Sequence, residues 1–297
     1  RMPMKTKPNR TTLIRSLALA LAFGLSLWFG YNAMAAFMGQ TTPISWLIPG
    51  GGRDQLNILL LGTDERGMEQ ARSDTIILAN LNLEQNQVTL VSIPRDTRAS
   101  IPGHGKQKIN HAHAFGGPAL LTRTVEGLLG VKVDYYLETN FEGFKNLIDQ
   151  MGGITIDVEK RMYTPEEGIN LKPGLQRLNG HDALAYVRFR HDAMGDIGRV
   201  ERQQKFISAA YDQFFTLKNL LRAPVLINQA LANVKTNMPT SEMLTVARFL
   251  KGVDRENIQT LTLPGYSQTI DGLSYWIVRD GEMRQMMAMI TAGERKF

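Results

Sequence analysis

From Ser16 to Met38 the chain reads SLALALAFGLSLWFGYNAMAAFM, with no charged side chain, and charge returns only at Arg53. Hydrocarbon leaves no backbone amide unpaired, so about 20 apolar residues in a row adopt a helix that spans a bilayer. A buried helix of a soluble domain would keep a polar face, and this stretch has none. A cleaved export signal is the rival reading, because Ala33-Met34-Ala35 has the small-x-small form of a cleavage site. The apolar run exceeds the usual signal core of roughly 7–15 residues, which favours an uncleaved anchor. Lys5, Lys7, Arg10 and Arg15 precede the run without an intervening acid. The positive-inside rule then keeps the N-terminus in the cytoplasm and sends the rest outside. The expected organisation is a cytoplasmic segment 1–15, one transmembrane helix 16–38, a Pro- and Gly-rich linker 39–54 and an extracytoplasmic domain 55–297.

That domain has material for a large core, since 43% of the 297 residues are hydrophobic. With no cysteine in the chain, disulfides, zinc–thiolate sites and a catalytic thiol are excluded. The run Leu56-Asn57-Ile58-Leu59-Leu60-Leu61-Gly62 is short, apolar and closed by glycine, as in a strand covered on both faces. Residues 75–83 and 88–93 are strand-like, with Glu84-Gln85-Asn86-Gln87 as a hairpin turn. Helices are predicted at 112–129, 141–151, 200–215 and 241–251, with a last one from Gly281. Further strands are predicted at 133–138, 154–158, 258–263 and 274–278. Residues 183–189 lead into the next site segment. This alternation with one hairpin predicts an α/β fold, a mixed central β-sheet flanked by helices on both faces.

Acids and arginines gather where strands end. Asp64, Glu65 and Arg66 close the first strand, Arg72 and Asp74 open the second, and Arg95 and Asp96 follow the third. In α/β sheets, ligands bind at strand ends and the loops beyond them. Arg188 and Arg190 lie two apart, which on a strand puts them on one face. Arg199, Arg202 and Gln203 lie at i, i+3 and i+4 of the next helix, with Arg199 near its anion-favouring N-terminus. Converging arginines repel unless an anion neutralises them, and the guanidinium fork suits the oxygens of a diphosphate. Asp64 and Asp74, on neighbouring strand ends, suit one Mg²⁺ (or another divalent cation such as Mn²⁺), which takes one or two carboxylates and leaves the rest to water and phosphate. The net charge of +6 also suits nucleic acid. A nucleic-acid surface needs aromatics interleaved with a long basic stripe, and the chain has no such stripe. His111 and His113 are read as a polar cap or loop hydrogen bond ahead of a metal ligand, and His191 as a neighbour of the arginines.

The stretches NILLLGTDER, RSDTI, VSIPRDTRASIPGHGKQKINHAHAFGGP, TVEGLLGVKVDYYLETNFEGFKNLIDQMGGI and LNGHDALAYVRFRHDAMGDIGRVERQQ, in this order, resemble the LytR-CpsA-Psr family of membrane-anchored glycopolymer transferases. The resemblance implies transfer of an anionic glycopolymer from a polyprenyl-pyrophosphate carrier onto peptidoglycan, at the outer side of a bacterial cell membrane. It implies a Mg²⁺-associated pair, Asp64 and Asp74, and pyrophosphate-binding groups Arg95, Arg188, Arg190, Arg199 and Gln203. Asp96, Arg66 and Arg202 fall in the same motifs. It also implies an apolar tunnel for the lipid, for which the helices at 112–129 and 141–151 are the candidate walls. Two other functions fit the same residues: a lipid-pyrophosphate pyrophosphatase, and a polyprenyl-phosphate-binding protein without turnover.

Overall fold

The computed structural model describes residues 54–64, 72–189, 195–214 and 232–294. The expected membrane segment, 16–38, lies outside these. Among the described residues, no helix is long and apolar enough to cross a membrane.

In chain order the strands are β1 (Gln55–Asp64), β2 (Arg72–Asn82), β3 (Gln87–Ser92), β4 (Arg98–Ile101), β5 (Gly105–Lys108), β6 (Tyr135–Asn140) and β7 (Ile154–Val158). They continue with β8 (Met162–Thr164), β9 (Ile169–Leu171), β10 (Gly174–Leu178), β11 (Lys235–Thr236), β12 (Ile258–Thr262), β13 (Gly265–Ile270) and β14 (Leu273–Val278). The helices are α1 (Asn110–Leu129), α2 (Phe141–Gln150), α3 (Gly180–Arg188), α4 (Gly195–Phe214), α5 (Thr240–Lys251) and α6 (Asp280–Ala292).

Six strands form the central sheet, in the order β11-β6-β1-β2-β3-β12. β6 runs parallel to β1, and β12 parallel to β3. The pairings β1–β2, β2–β3 and β6–β11 are antiparallel, so the sheet is mixed as expected. β1 is apolar on both faces because both are covered. Leu59 and Leu61, with Ile76 and Leu78 of β2, pack on one face with Leu121 and Val125 of α1 and Met286 and Ile290 of α6. Leu56 and Ile58, with Ile77 and Ala79, face the other way, toward Val246 and Phe249 of α5 and Ile207 of α4. Each such aliphatic side chain stabilises the fold by about 1.5–3 kcal/mol when fully buried. A third core, from Ile148 to Phe206, joins α2, α3 and α4 to the small strands β7 to β10.

Two local features position the site. Asn140 ends β6 and caps α2, its side chain accepting a hydrogen bond from Gly143 N. Asn179 caps α3 in the same way, accepting from Asp182 N. At Gly180 a Cβ would stand 2.2 Å from Lys145 O, so only glycine lets α3 approach the α2 backbone this closely. The strand expected to carry Arg188 is corrected: the chain is helical through Arg188 and turns extended at Phe189. Ala183, Ala185 and Tyr186 are buried within one helical stretch, a pattern that short alternation in the sequence conceals.

Candidate functional site

The β1–β2 ladder contains a bulge. Gly62 pairs with Thr75 and Thr63 with Ser73, leaving Asp74 as the extra residue. Bulges re-aim a side chain beside many active sites, and here the carboxylate of Asp74 borders a cavity. β3 ends at Ser92, and Ile93-Pro94 lead to Arg95, whose Nη1 donates to Asp74 Oδ1 at 2.6 Å. Arg95 Nε lies 4.0 Å from Asp96 Oδ2, and Lys108 Nζ lies 2.8 Å from Asp96 Oδ1. The order Asp74, Arg95, Asp96, Lys108 thus alternates in sign along one rim.

The opposite rim comes from α3 and α4. Arg188, in the last turn of α3, places its guanidinium 4.6 Å from the centre of the Phe141 ring. The ring supports the cation from below without neutralising it. Gln203 of α4 reaches Thr75 Oγ1 at 3.4 Å and Val187 O at 3.5 Å. Asp74, Thr75, Arg95, Arg188 and Gln203 border one cavity of about 680 Å³. Apart from Glu138, Thr139, Asn140 and Glu167, the remaining walls are mostly apolar. Leu60, Ile77 and Leu137 supply the sheet side, and Phe144, Leu147, Val187, Phe206 and Ile207 the helices. The arrangement suits an amphiphile with a charged head and an aliphatic tail.

Of the predicted site residues, Asp74, Arg95, Arg188 and Gln203 converge on this mouth, and Asp96 joins its rim. The side chains of Asp64 and Arg199, and all of Arg66, Arg190 and His191, lie outside the described residues. Asp64 does end β1, one register step past Thr63. Arg202, grouped with Arg199 and Gln203 by helical spacing, turns inward instead. It is 3% exposed, donates through Nη2 to Phe189 O and lies 3.6 Å from Glu159 Oε1. The helix at 110–129 does not line the cavity. It packs on the opposite face of the sheet, against Leu59 and Leu61, and only α2 of the two candidate wall helices contributes. Apolar residues in a helix show that a face is buried, not which cavity it borders.

Sequence reasoning missed three participants. Phe141 under Arg188 and Lys108 on Asp96 both lie within the motifs quoted above, where their types alone carried no signal. Glu159 had none: it follows β7 and receives Tyr186 Oη at 3.0 Å. Burial alone would raise the Glu159 carboxyl, but hydrogen bonds from its own backbone and Tyr186, with Lys205 and Arg202 nearby, hold it below the usual range. The same burial, together with the Glu159 charge, pushes the Tyr186 phenol far up. His113, expected as a cap or loop hydrogen bond, pairs with a residue of β6 that borders the cavity. Its Nε2 is 2.7 Å from Glu138 Oε2, and both are buried. His111 Nδ1 lies 3.1 Å from Gln107 Oε1.

Asp74 offers hard carboxylate oxygens near the start of β2, with Oδ1 held by Arg95 Nη1 at 2.6 Å, beside the terminus of β1 that carries Asp64; Mg²⁺ usually takes one or two carboxylates from a protein. No cluster of three or more acidic, histidine or cysteine side chains occurs among the described residues, and a phosphate-bridging Mg²⁺ does not require one.

The profile of the LytR_cpsA_psr family matches residues 36–291. The polyisoprenyl-teichoic acid–peptidoglycan teichoic acid transferase TagU of Oceanobacillus iheyensis is 37% identical over 246 residues, 80% of this chain and 76% of TagU. The regulatory protein MsrR of Staphylococcus aureus (strain COL) is 36% identical over 212 residues, 71% of this chain and 64% of its own. The crystal structure of Bacillus subtilis TagV superposes with a TM-score of 0.73 at 29% identity, over 82% of this chain and 99% of TagV. TagT bound to LI-WTA superposes at 0.68 and 29% identity, over 81% of this chain and 91% of that one. With the profile spanning the sheet, the cavity and both its rims, the chain belongs to the LytR-CpsA-Psr family.

Proposed function

We propose that this chain transfers an anionic glycopolymer from a polyprenyl-pyrophosphate carrier to a sugar hydroxyl of peptidoglycan. The observation that carries the reading is the cavity. This cavity of about 680 Å³, walled mostly by apolar side chains, opens at a mouth bearing Asp74, Arg95, Arg188 and Gln203. A polyprenyl tail fits the interior and a diphosphate fits the mouth, in one orientation. The relatives named for teichoic acid transfer to peptidoglycan support the same chemistry.

The acceptor hydroxyl attacks the glycan-side phosphorus, forming a phosphodiester, while the bond to the bridging oxygen breaks and polyprenyl phosphate departs. Little covalent work falls to the protein in phosphoryl transfer; its task is to position and to stabilise charge. Arg95 and Arg188, on opposite rims, hold the diphosphate oxygens, joined in this reading by Arg190 and Arg199. Gln203 donates to a non-bridging oxygen. Asp96, beside Arg95, is the acceptor for the hydroxyl's proton. Asp74 and Asp64 would hold Mg²⁺, which when bound neutralises charge developing on the phosphate oxygens. In this reading residues 16–38 anchor the domain at the outer face of the cell membrane, the side on which a lipid-borne donor is presented.

The test uses the full chain with labelled lipid-linked glycan, Mg²⁺ and peptidoglycan. Label appearing in the wall polymer supports transfer. Release of free glycan phosphate alone marks a pyrophosphatase. Retained carrier with no chemistry marks a binding protein. Protease accessibility on intact cells checks the extracytoplasmic placement.

A further inference from the structure

The β4–β5 and β13–β14 hairpins form one surface beside the mouth. Thr97 and Trp276 make a parallel bridge, in which Trp276 N donates to Asp96 O at 3.0 Å. The bridge sets β14 edge to edge against the start of β4, giving the order β13, β14, β4, β5. Side chains alternate along each strand, and partners across a ladder share a face. Thr97, Ala99 and Ile101 point inward and are buried, and Ala99 and Ile101 join the core that includes Ala112 of α1. Arg98 and Ser100 therefore point outward, together with Lys108 and Lys106, their partners on β5.

The second hairpin follows the same rule. Trp276 shares the inward face with Thr97, and its Nε1 donates to Leu263 O at 3.1 Å. Tyr275 and its partner Gln268, Ile277 and its partner Tyr266, and Leu273 and its partner Ile270 thus lie on the outward face. The contacts agree with this register, since Arg98 and Lys108 each stand 5.8 Å from the centre of the Tyr275 ring.

This outward face is open and held in shape. Asp271 and Gly272, at φ of 50° and 78°, close β13–β14 with the two-residue turn that matches strand twist. Tyr266 is 46% exposed, and Arg98, Ser100 and Lys106 are exposed as well. Lys108 is committed to Asp96 at 2.8 Å. Two exposed cations, Arg98 and Lys106, thus share the face with two tyrosine rings. Four strands about 4.8 Å apart carry it about 14 Å across, wider than a single phosphate needs. Its edge at Asp96 adjoins Arg95 of the mouth.

We propose that this face carries the donor's glycan, a chain of sugars bearing anionic groups, as it leaves the diphosphate at the mouth. A sugar ring lays its apolar C–H face on Tyr266, Tyr275 orients the Arg98 guanidinium, and Arg98 and Lys106 meet the anionic groups. The inference rests on the transferase reading and deepens it: the polymer, as well as its carrier, has a binding surface, and an anionic chain is the preferred cargo. Two observations favour the donor over the acceptor. The cations suit a polymer charged at each repeat. The face is also continuous with Arg95, which in this reading holds the diphosphate to which that polymer is joined.

The test compares Tyr266→Ser, Arg98→Gln and Lys106→Glu with the unaltered full chain. All three positions are exposed, and matched thermal melts confirm which variants fold. Two donors on the same polyprenyl diphosphate are used, one bearing a long phosphodiester-linked glycan and one a single disaccharide. The expected result is a KM for the long donor raised about fivefold, the change that about 1 kcal/mol of lost contact gives, with KM for the short donor and for peptidoglycan within about twofold. No rise for the long donor, or an equal rise for both donors, overturns the proposal. A rise confined to the peptidoglycan KM assigns the face to the acceptor and overturns it too. Separately, fluorescence anisotropy measures binding of soluble, glucosylated poly(glycerol phosphate). Weaker binding by the variants supports the face, and equal binding removes it. That arm decides even if the unaltered chain transfers nothing and the transferase reading fails.

Discussion

Replacing Arg202 by Met separates two roles for this arginine by their opposite signatures. Methionine keeps an apolar stem of similar reach against the Phe189 ring, which the guanidinium faces at 5.2 Å, and removes only the charge and the donors. The buried Phe189 carbonyl then loses its bond from Nη2. Leaving such a carbonyl unsatisfied costs about 1–3 kcal/mol. Removing one partner of a fully buried ion pair can cost about 3–5 kcal/mol. The Glu159 side chain is 34% exposed, so water recovers much of that second amount. A net loss of about 2–3 kcal/mol is expected. At roughly 2–4 °C per kcal/mol for a domain of this size, the melting temperature falls by about 5–10 °C. Because Arg202 fastens the chain just after Arg188, transfer slows as well. Arg202→Lys, with a point charge in place of the fork, falls between the two. The assay is thermal unfolding with and without a polyprenyl pyrophosphate. A direct pyrophosphate ligand behaves otherwise: its loss leaves the apo protein within about 0.5 kcal/mol, as at a surface site, and abolishes the ligand-induced stabilisation. An unshifted melt with lost stabilisation by ligand refutes the buried-clamp reasoning.

Other outcomes are checked more briefly. Arg188→Ala removes a contact aimed at the transferring phosphates and slows transfer by about 10²–10³, with circular dichroism unchanged; wild-type turnover in single-turnover assays would remove Arg188 from the mechanism. Ile207→Trp fills the apolar cavity, and native mass spectrometry is expected to show less co-purified polyprenyl lipid, while equal occupancy would place the tail elsewhere. Burial opposes ionisation of Glu138, but the hydrogen bond and charge of His113, with Lys235 beyond, outweigh it and lower its pKa from the ordinary 4.5. A depressed carboxyl stabilises the fold above its unfolded pKa and loses that contribution as pH falls through the folded value. Urea melts of Glu138→Gln should thus be weaker than wild type near pH 6 and converge with it below pH 4.5, and a constant gap down to pH 3 would contradict the pairing. Chelation by EDTA is expected to stop transfer without lowering the melt of the carrier-free protein, and full activity in EDTA would remove Mg²⁺ from the scheme.

The sequence by itself determined five of the six central strands, because β1, β2 and β3 carry apolar residues on both faces and a polar turn joins the last two; the two-residue β11 carries no such signal. It also marked Asp74, Arg95, Arg188 and Gln203, since charge recurring at element ends is visible without coordinates. It did not show the helix at 180–188, where four buried positions in nine residues read equally well as strand. The tertiary structure alone decided where side chains of one type go. Helical spacing put Arg202 with Gln203, but at 3% exposure Arg202 serves the Phe189 carbonyl while Gln203 serves the mouth. Both candidate helices are apolar enough to line a tunnel, yet α1 packs on Leu59 and α2 borders the cavity. Periodicity tells which face of an element is covered. What covers it depends on contacts between residues far apart in the chain, and only the assembled fold specifies those.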